Sequence, residues 1–204
     1  MKAYNFEQYS PEWWQARIGL PTASSASKIL TPTGKYSASA KGLINELIAE
    51  TIIGGPEEEP YENFWMRRGK EMESEARAKF EFDHDAEITQ VGFITDDDDT
   101  MGCSPDGLIG EDCGWEVKCP KGSTHVAYVL DGGLPNEYKQ QVHMSMAISG
   151  IRKWWFMSYH PNMEPLYVLV EWDEYTDKVA SALEKFMGEY NEAFEKFNDI
   201  QEAK

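Results

Sequence analysis

Cysteine is scarce in this chain: 204 residues include three, Cys103, Cys113 and Cys119. Three thiols cannot form the bridges that staple small secreted domains, so no disulfide is expected and a reducing compartment, the cytoplasm, suits them. Long apolar runs are absent as well. No stretch approaches the roughly 18 to 20 residues of a membrane span. The opening MKAYNFEQYSPEWW has neither the apolar core nor the small-residue cleavage site of a secretory signal. The expectation is a soluble protein with no membrane partner. Basic side chains are also few: 19 Lys and Arg stand against 36 Asp and Glu, a formal charge of -17. Phosphate binding rests on cations that displace counterions, so the total charge by itself argues against a nucleic-acid partner.

What is present qualifies that reading. A chain of 204 residues is long enough to bury one core without staples, and one domain over residues 1–204 is expected. Its parts are a helical stretch over 1–55, a core over 62–172 and a closing helix from 174. The charge is unevenly spread: residues 1–55 hold five basic and four acidic side chains, a net of +1, whereas residues 56–100 hold five against fifteen, a net of -10. The runs Glu57–Glu59 and Asp96–Asp99 sit among Gly, Pro and Thr and read as solvated loops. Asp96–Asp99 lacks the alternating spacing and the glycine of an EF-hand loop.

Periodicity suggests the order of elements. Ser10 and Pro11 open a helix that ends near Gly19, with Trp13 and Trp14 turned inward. Thr22–Leu30, Ser37–Ile53 and Glu62–Phe82 follow as helices, the last with Phe64, Met72, Ala76 and Phe80 at helical spacing. The period then shortens, predicting a meander of strands over Ile88–Thr95, Met101–Ser104, Gly107–Ile109 and Gly114–Lys118. A helix over Pro135–Ser149, strands over Lys153–Tyr159 and Leu166–Trp172, and a helix over Glu174–Phe197 complete an α/β pattern with a mixed sheet. Trp154, Trp155 and Trp172 read as core packing, and the four histidines, none paired at metal-ligand spacing, as structural or surface groups.

The chemistry concentrates around Asp106, which nine residues separate from Glu116-Val117-Lys118. Within a strand Glu116 and Lys118 point to one face and Val117 to the other. If a hairpin brings Asp106 beside Glu116, two carboxylates and an ammonium meet at one point. Clustered hard anions repel one another unless a hard divalent cation such as Mg²⁺ or Mn²⁺ joins them. The lysine would then position or deprotonate a water, or neutralise charge as a phosphodiester is attacked. A hairpin with a turn aspartate and a surface Glu–Lys pair worth under about 1 kcal/mol is the alternative.

These residues resemble the PD-(D/E)XK nuclease signature. Three more motifs narrow the likeness: Arg17-Ile18-Gly19-Leu20-Pro21-Thr22-Ala23-Ser24, the acidic helix segment Gly69–Arg77 containing Glu73, and the glutamine helix Tyr138–Met146. From about Trp13 to Trp172 the chain resembles the phage lambda exonuclease and YqaJ-type viral recombinase family. The resemblance implies an α/β fold with a central mixed sheet flanked by helices. It further implies a metal-dependent exonuclease that digests one strand of linear double-stranded DNA from 5′-phosphorylated ends toward 3′, releasing mononucleotides and leaving a 3′ overhang for annealing recombination. Two Mg²⁺ ions with Mn²⁺ as a substitute, a ring-shaped homotrimer, a phage single-strand annealing protein as partner and the bacterial host cytoplasm come with it.

By the same resemblance Asp106 bridges the metals, Glu116 and the Val117 carbonyl complete one site, Glu73 supports it and Lys118 orients the attacking water. Arg17, Ser24, Ser104 and Gln141 match positions that hold a terminal 5′-phosphate. Tyr138 stands where an aromatic lies behind them, and Met66 aligns with an apolar wedge at the duplex end. The loop Thr31–Lys35 departs from the pattern by lacking an arginine, which leaves Lys35 as its substitute. Taken singly, these residues leave other roles open: Arg17 as a helix-end cation, Ser24 as a cap, Gln141 and Tyr138 as helix surface, Met66 as core filler. Three cysteines without C-x-x-C spacing fall one short of the iron–sulfur ligands carried by other nucleases of this fold.

Two further functions remain open at this level: an endonuclease or junction resolvase on the same fold, and a catalytically silent module that binds DNA ends or a partner. In every case the charge constrains geometry. The near-neutral first 55 residues, with Arg17, Lys28, Lys35 and Lys41, form the expected DNA side. The acidic loops face outward, where Glu57–Glu59 offer a docking surface for a basic annealing protein.

Overall fold

The polypeptide begins with a strand, β1 (Lys2–Tyr4), and a helix, α1 (Pro11–Arg17). Ser10 starts the helix by accepting the Trp13 amide on its Oγ at 3.2 Å, and Pro11 occupies the first turn, where an amide donor has no partner to lose. A 3-10 turn, Ala23–Ser25, leads into α2 (Ala26–Ile29), then α3 (Ala40–Ile53) and α4 (Phe64–His84). Five short strands follow: β2 (Ile88–Thr89), β3 (Phe93–Thr95), β4 (Gly102–Cys103), β5 (Gly107–Ile109) and β6 (Cys113–Lys118). Helices α5 (Gly122–Asp131) and α6 (Asn136–Ser149), strands β7 (Lys153–Ser158) and β8 (Leu166–Glu171), and α7 (Glu174–Glu202) complete the order. This computed structural model describes residues 1–56 and 64–203, apart from the side chains of Phe64, Trp65, Met66 and Lys70.

The main sheet has five strands in the order β2-β5-β6-β7-β8, and a second sheet has three in the order β1-β3-β4. Strands β6 and β7 run parallel through the α5–α6 crossover, while the other neighbours in the main sheet are antiparallel, so the sheet is mixed. Alternation divides its two faces. Trp115, Val117 and Met157 pack with Ala76 and Phe80 of α4, whereas Trp154 and Phe156 join a larger cluster with α2, α3, α6 and α7. Gly114 is needed at its place: it is registered against Trp154, and a Cβ there would meet the indole at 2.2 Å. Phe80 is fully buried and rings it with Trp115, Trp155 and Tyr167 at centroid distances of 5.9, 5.7 and 5.6 Å. Truncating such a phenylalanine to alanine costs about 3–5 kcal/mol.

The structure corrects several sequence expectations. Ile88–Thr95 is two strands in different sheets, because the chain breaks at Gly92, where any Cβ would meet the Phe6 carbonyl oxygen at 2.0 Å. The third helix starts at Ala40, after a turn in which the Ala40 amide donates to the Ser37 carbonyl at 3.2 Å. Helix α5 and strand β1 were not expected, and α7 continues beyond Phe197 to Glu202. Trp13 is buried, but Trp14 is covered only in part. Asp96–Asp99 is more than a solvated run. Asp96 accepts from the Thr100 and Met101 amides at 2.7 and 3.1 Å, Asp97 from the N-terminus, and Asp99 from Tyr4, Thr95 and Lys2. Glu57–Glu59 lie outside the described residues.

Candidate active site

At the end of β6 the hairpin does what the spacing required. The register pairs Gly107 with Trp115, so Asp106, just before β5, comes opposite Glu116 of β6. Two backbone links fix it there: the Asp106 amide donates to the Trp115 carbonyl at 3.1 Å, and the Val117 amide donates to Asp106 Oδ2 at 2.7 Å. Glu116 is buried at 2% exposure, and its Oε1 accepts from Lys118 Nζ at 2.6 Å and from Gln141 Nε2 at 2.8 Å. Tyr138, one turn before Gln141 on α6, holds its ring 5.5 Å from the Lys118 ammonium and 5.3 Å from Phe156. Glu73 comes from the opposite side of the sheet. It precedes Ala76 and Phe80 at helical spacing, so the face that seats α4 carries this carboxylate to the same cleft as Asp106.

A second cluster lies beside the first. Arg17 Nη1 donates to Ser104 Oγ at 3.0 Å, and Nη2 reaches Thr22 Oγ1 and Ser24 Oγ at 3.2 Å each. Trp13 backs this clasp: the guanidinium sits 4.2 Å from its ring centroid, and its indole N–H reaches Ser104 Oγ at 2.9 Å and the Gly92 carbonyl at 3.0 Å. Burial pulls the Arg17 pKa down to about 10, which still leaves it cationic at neutral pH. The arrangement is a fork with hydroxyls around it, the donor geometry that suits a phosphate.

Burial and neighbouring charge shift both Asp106 and Lys118. Burial, then Glu116, push the Asp106 pKa well above the ordinary carboxylate value, against the pull of Lys118. Like charges directly opposite on paired strands destabilise a sheet. Burial alone would lower the Lys118 pKa, but Glu116 and Asp106 outweigh it and hold the ammonium above its usual value. One cation thus serves a cluster with more than one anion.

A family model for the YqaJ-like viral recombinase domain matches residues 12–152, a span that contains Arg17, Glu73, Ser104, Asp106, Glu116, Lys118 and Gln141. The chain belongs to this family. Among solved structures, an alkaline exonuclease (LHK-Exo) from Laribacter hongkongensis aligns over 94% of this chain and 100% of its own, with 29% identity and a TM-score of 0.75. The same protein in complex with dAMP gives the same values. A phage related exonuclease from Haemophilus somnus 129PT aligns over 87% of this chain and 96% of its own, with 13% identity and a TM-score of 0.61, a likeness of fold. Comparison with curated proteins gives no match. The fold of this YqaJ-like domain is the PD-(D/E)XK fold.

Among the described residues of the YqaJ-like domain, no three His, Cys, Asp or Glu side chains converge as a ready-made metal cluster. The donor chemistry nevertheless fits a hard divalent cation. Asp106 and Glu116 face each other with surplus negative charge, and the Val117 carbonyl lies in the same strand segment. Mg²⁺ is commonly held by one or two carboxylates, with substrate phosphate and water completing the shell.

Of the residues singled out in the sequence, Arg17, Ser24 and Ser104 come together, whereas Gln141 meets Glu116. Lys35 is exposed on a separate turn, its carbonyl accepting from the Thr31 amide at 2.7 Å, and Gly34 abuts Lys178 of α7. Met66 lies in α4, its side chain outside the described residues. Sequence reasoning missed Trp13 and Thr22 as members of the clasp. A signal existed for the first, since Trp13 and Arg17 are four apart on a helix and share a face.

Proposed function

We propose that the chain is a metal-dependent exonuclease that digests one strand of linear double-stranded DNA from a 5′-phosphorylated end toward 3′, leaving a 3′ overhang for annealing recombination. One observation carries the reading: Ser104 of the clasp and Asp106 of the carboxylate pair are two residues apart, so their backbones lie at most about 7 Å from each other. A terminal phosphate seated on Arg17, Ser24 and Ser104 therefore brings the next phosphodiester to Asp106 and Glu116. Cleavage there releases one nucleotide. The exonucleases among the similar structures support the same class of reaction.

Asp106, Glu116 and the Val117 carbonyl would hold the divalent cation, with Glu73 beside them. When bound, that ion supplies Lewis-acid polarisation of the phosphodiester and an activated water. The chain's own groups do the rest. Arg17 orients the end by its forked donors. Lys118, held cationic by its neighbours, donates to a water and offsets the charge that builds on the phosphate oxygens. Gln141 fixes the Glu116 carboxylate from α6 at 2.8 Å.

The reading extends to a homotrimeric ring around the duplex and to a phage single-strand annealing protein as partner. The charge of -17 supports the second, because an acidic chain favours a basic partner. A gel assay tests the core: 5′-phosphorylated linear duplex should be degraded with Mg²⁺ and spared with EDTA, while circular plasmid stays intact. Cutting of the plasmid would favour an endonuclease, and digestion undiminished by EDTA would remove the metal.

A further inference from the structure

The segment before α1 is placed with unusual care for a chain end. The Gly92 amide donates to the Tyr4 carbonyl at 3.0 Å, and Phe6 passes so close over Gly92 that no Cβ fits there. Two residues on, Gln8 Nε2 donates to the Pro105 carbonyl at 2.9 Å and reaches the Val91 carbonyl at 3.3 Å. The segment is thereby tied to the residue that immediately precedes Asp106. The next residue, Tyr9, adopts φ 71, the left-handed region that a bulky L-residue avoids. Such an outlier persists only where the surroundings over-determine it, and it calls for a reason.

Core packing is not that reason. Tyr9 is 47% exposed, and asparagine or glycine would meet the backbone requirement at lower cost. Its ring lies 5.0 Å from Trp13, the same indole that carries the Arg17 guanidinium. It also lines a cleft of about 450 Å³ together with Glu73 and Asp106, within the size range of small-molecule sites. Tyr9 therefore stands where the clasp and the carboxylates meet. Asn5, Gln8 and Gln90 line the same cleft with uncharged amides. Beside the Tyr9 ring these uncharged amides suit a neutral base.

We propose that Tyr9 is a positioning residue whose ring stacks on the base of the terminal nucleotide, the one whose 5′-phosphate the Arg17 clasp holds. The inference rests on the exonuclease reading and deepens it. Stacking suits an enzyme working inward from an end, because every base reaches that place in turn and each offers a π-face regardless of sequence. The left-handed backbone aims the ring into the cleft instead of along the helix that begins at Pro11.

Two variants separate the ring from the backbone. Tyr9→Phe keeps the ring, and Tyr9→Asn removes it while tolerating the left-handed conformation. Steady-state digestion is measured on 5′-phosphorylated duplexes whose terminal nucleotide either carries its base or is abasic. Wild type and Tyr9→Phe should show a KM about 10-fold higher on the abasic end. Tyr9→Asn should show the higher KM on both substrates, with kcat within about 2-fold of wild type and no discrimination between them. A Tyr9→Asn enzyme that keeps the wild-type KM and still discriminates overturns the proposal while the exonuclease reading stands. Failure of wild type to digest either duplex overturns both.

Discussion

Asp99 and Asp106 are seven positions apart in the sequence, yet their surroundings act in opposite directions. Asp99 is met by donors: Lys2, then Thr95 Oγ1 at 2.6 Å and Tyr4 O–H at 2.9 Å, which pull its pKa down to about 2. Asp106 is enclosed and faces Glu116, which pushes its pKa well up. The first group fastens β1 to the loop after β3 in its charged form. The second is held in a place that penalises its charged form. The sequence places Asp99 at the end of a run of four aspartates and Asp106 alone between Pro105 and Gly107; donors, burial and the facing strand make one a tether and the other a candidate for chemistry.

The largest effect is expected from Asp106→Asn. Activity should fall on the order of 10³-fold, while stability moves the other way. A carboxyl whose folded pKa is raised lowers the stability of the native state as pH climbs from near 4 through that raised value. Removing the charge should therefore raise Tm in EDTA at pH 7 to 8 by a few degrees, the response of a domain this size to about 1 kcal/mol. The gain should vanish at pH 4. Thermal melts at both pH values check it, and a lower Tm at pH 8 would show that Asp106 is not under electrostatic stress.

A middle-sized effect sharpens the contrast between the anionic and cationic clusters. Arg17→Ala removes the fork that reaches Ser104, Thr22 and Ser24. The ratio of kcat/KM on 5′-phosphate against 5′-hydroxyl ends should drop about 10- to 100-fold, the weight of charge-assisted hydrogen bonds. An unchanged ratio would place the phosphate elsewhere. The smallest effect belongs to Asp99→Asn. Its activity should match wild type and its Tm should fall by about a degree. Because the Asp99 pKa is lowered, its contribution is present above pH 4 and is lost as pH falls toward about 2. The variant should lack that part of the acid slope in a pH titration of stability.

Much of the site is legible in the sequence. Alternation places Glu116 and Lys118 on one face, and the spacing from Asp106 fits a hairpin. Glu73, Ala76 and Phe80 share a helical face, so the carboxylate follows from the packing pattern. Other parts are not readable there. Gln141 and Arg17 belong to motifs grouped together by resemblance, but the fold places Gln141 against Glu116 of β6, a contact no local pattern reports. The break at Gly92 depends on Phe6, more than eighty positions away, which no window of local periodicity reports.

The relations that backbone geometry imposes on neighbours follow directly from the order of residues. The shared face of Glu116 and Lys118, the stacking of Arg17 over Trp13 one helical turn earlier, and the helix start at Ser10 and Pro11 are of this kind. Which distant segments meet is settled by the tertiary fold: β1 with the Asp96–Asp99 loop, Gln8 with Pro105, Tyr9 with the Asp106 cleft. Local pattern follows from two dihedral angles per residue. Long-range contact follows from burial and solvation summed over the whole fold, and those same terms give two nearby aspartates opposite characters.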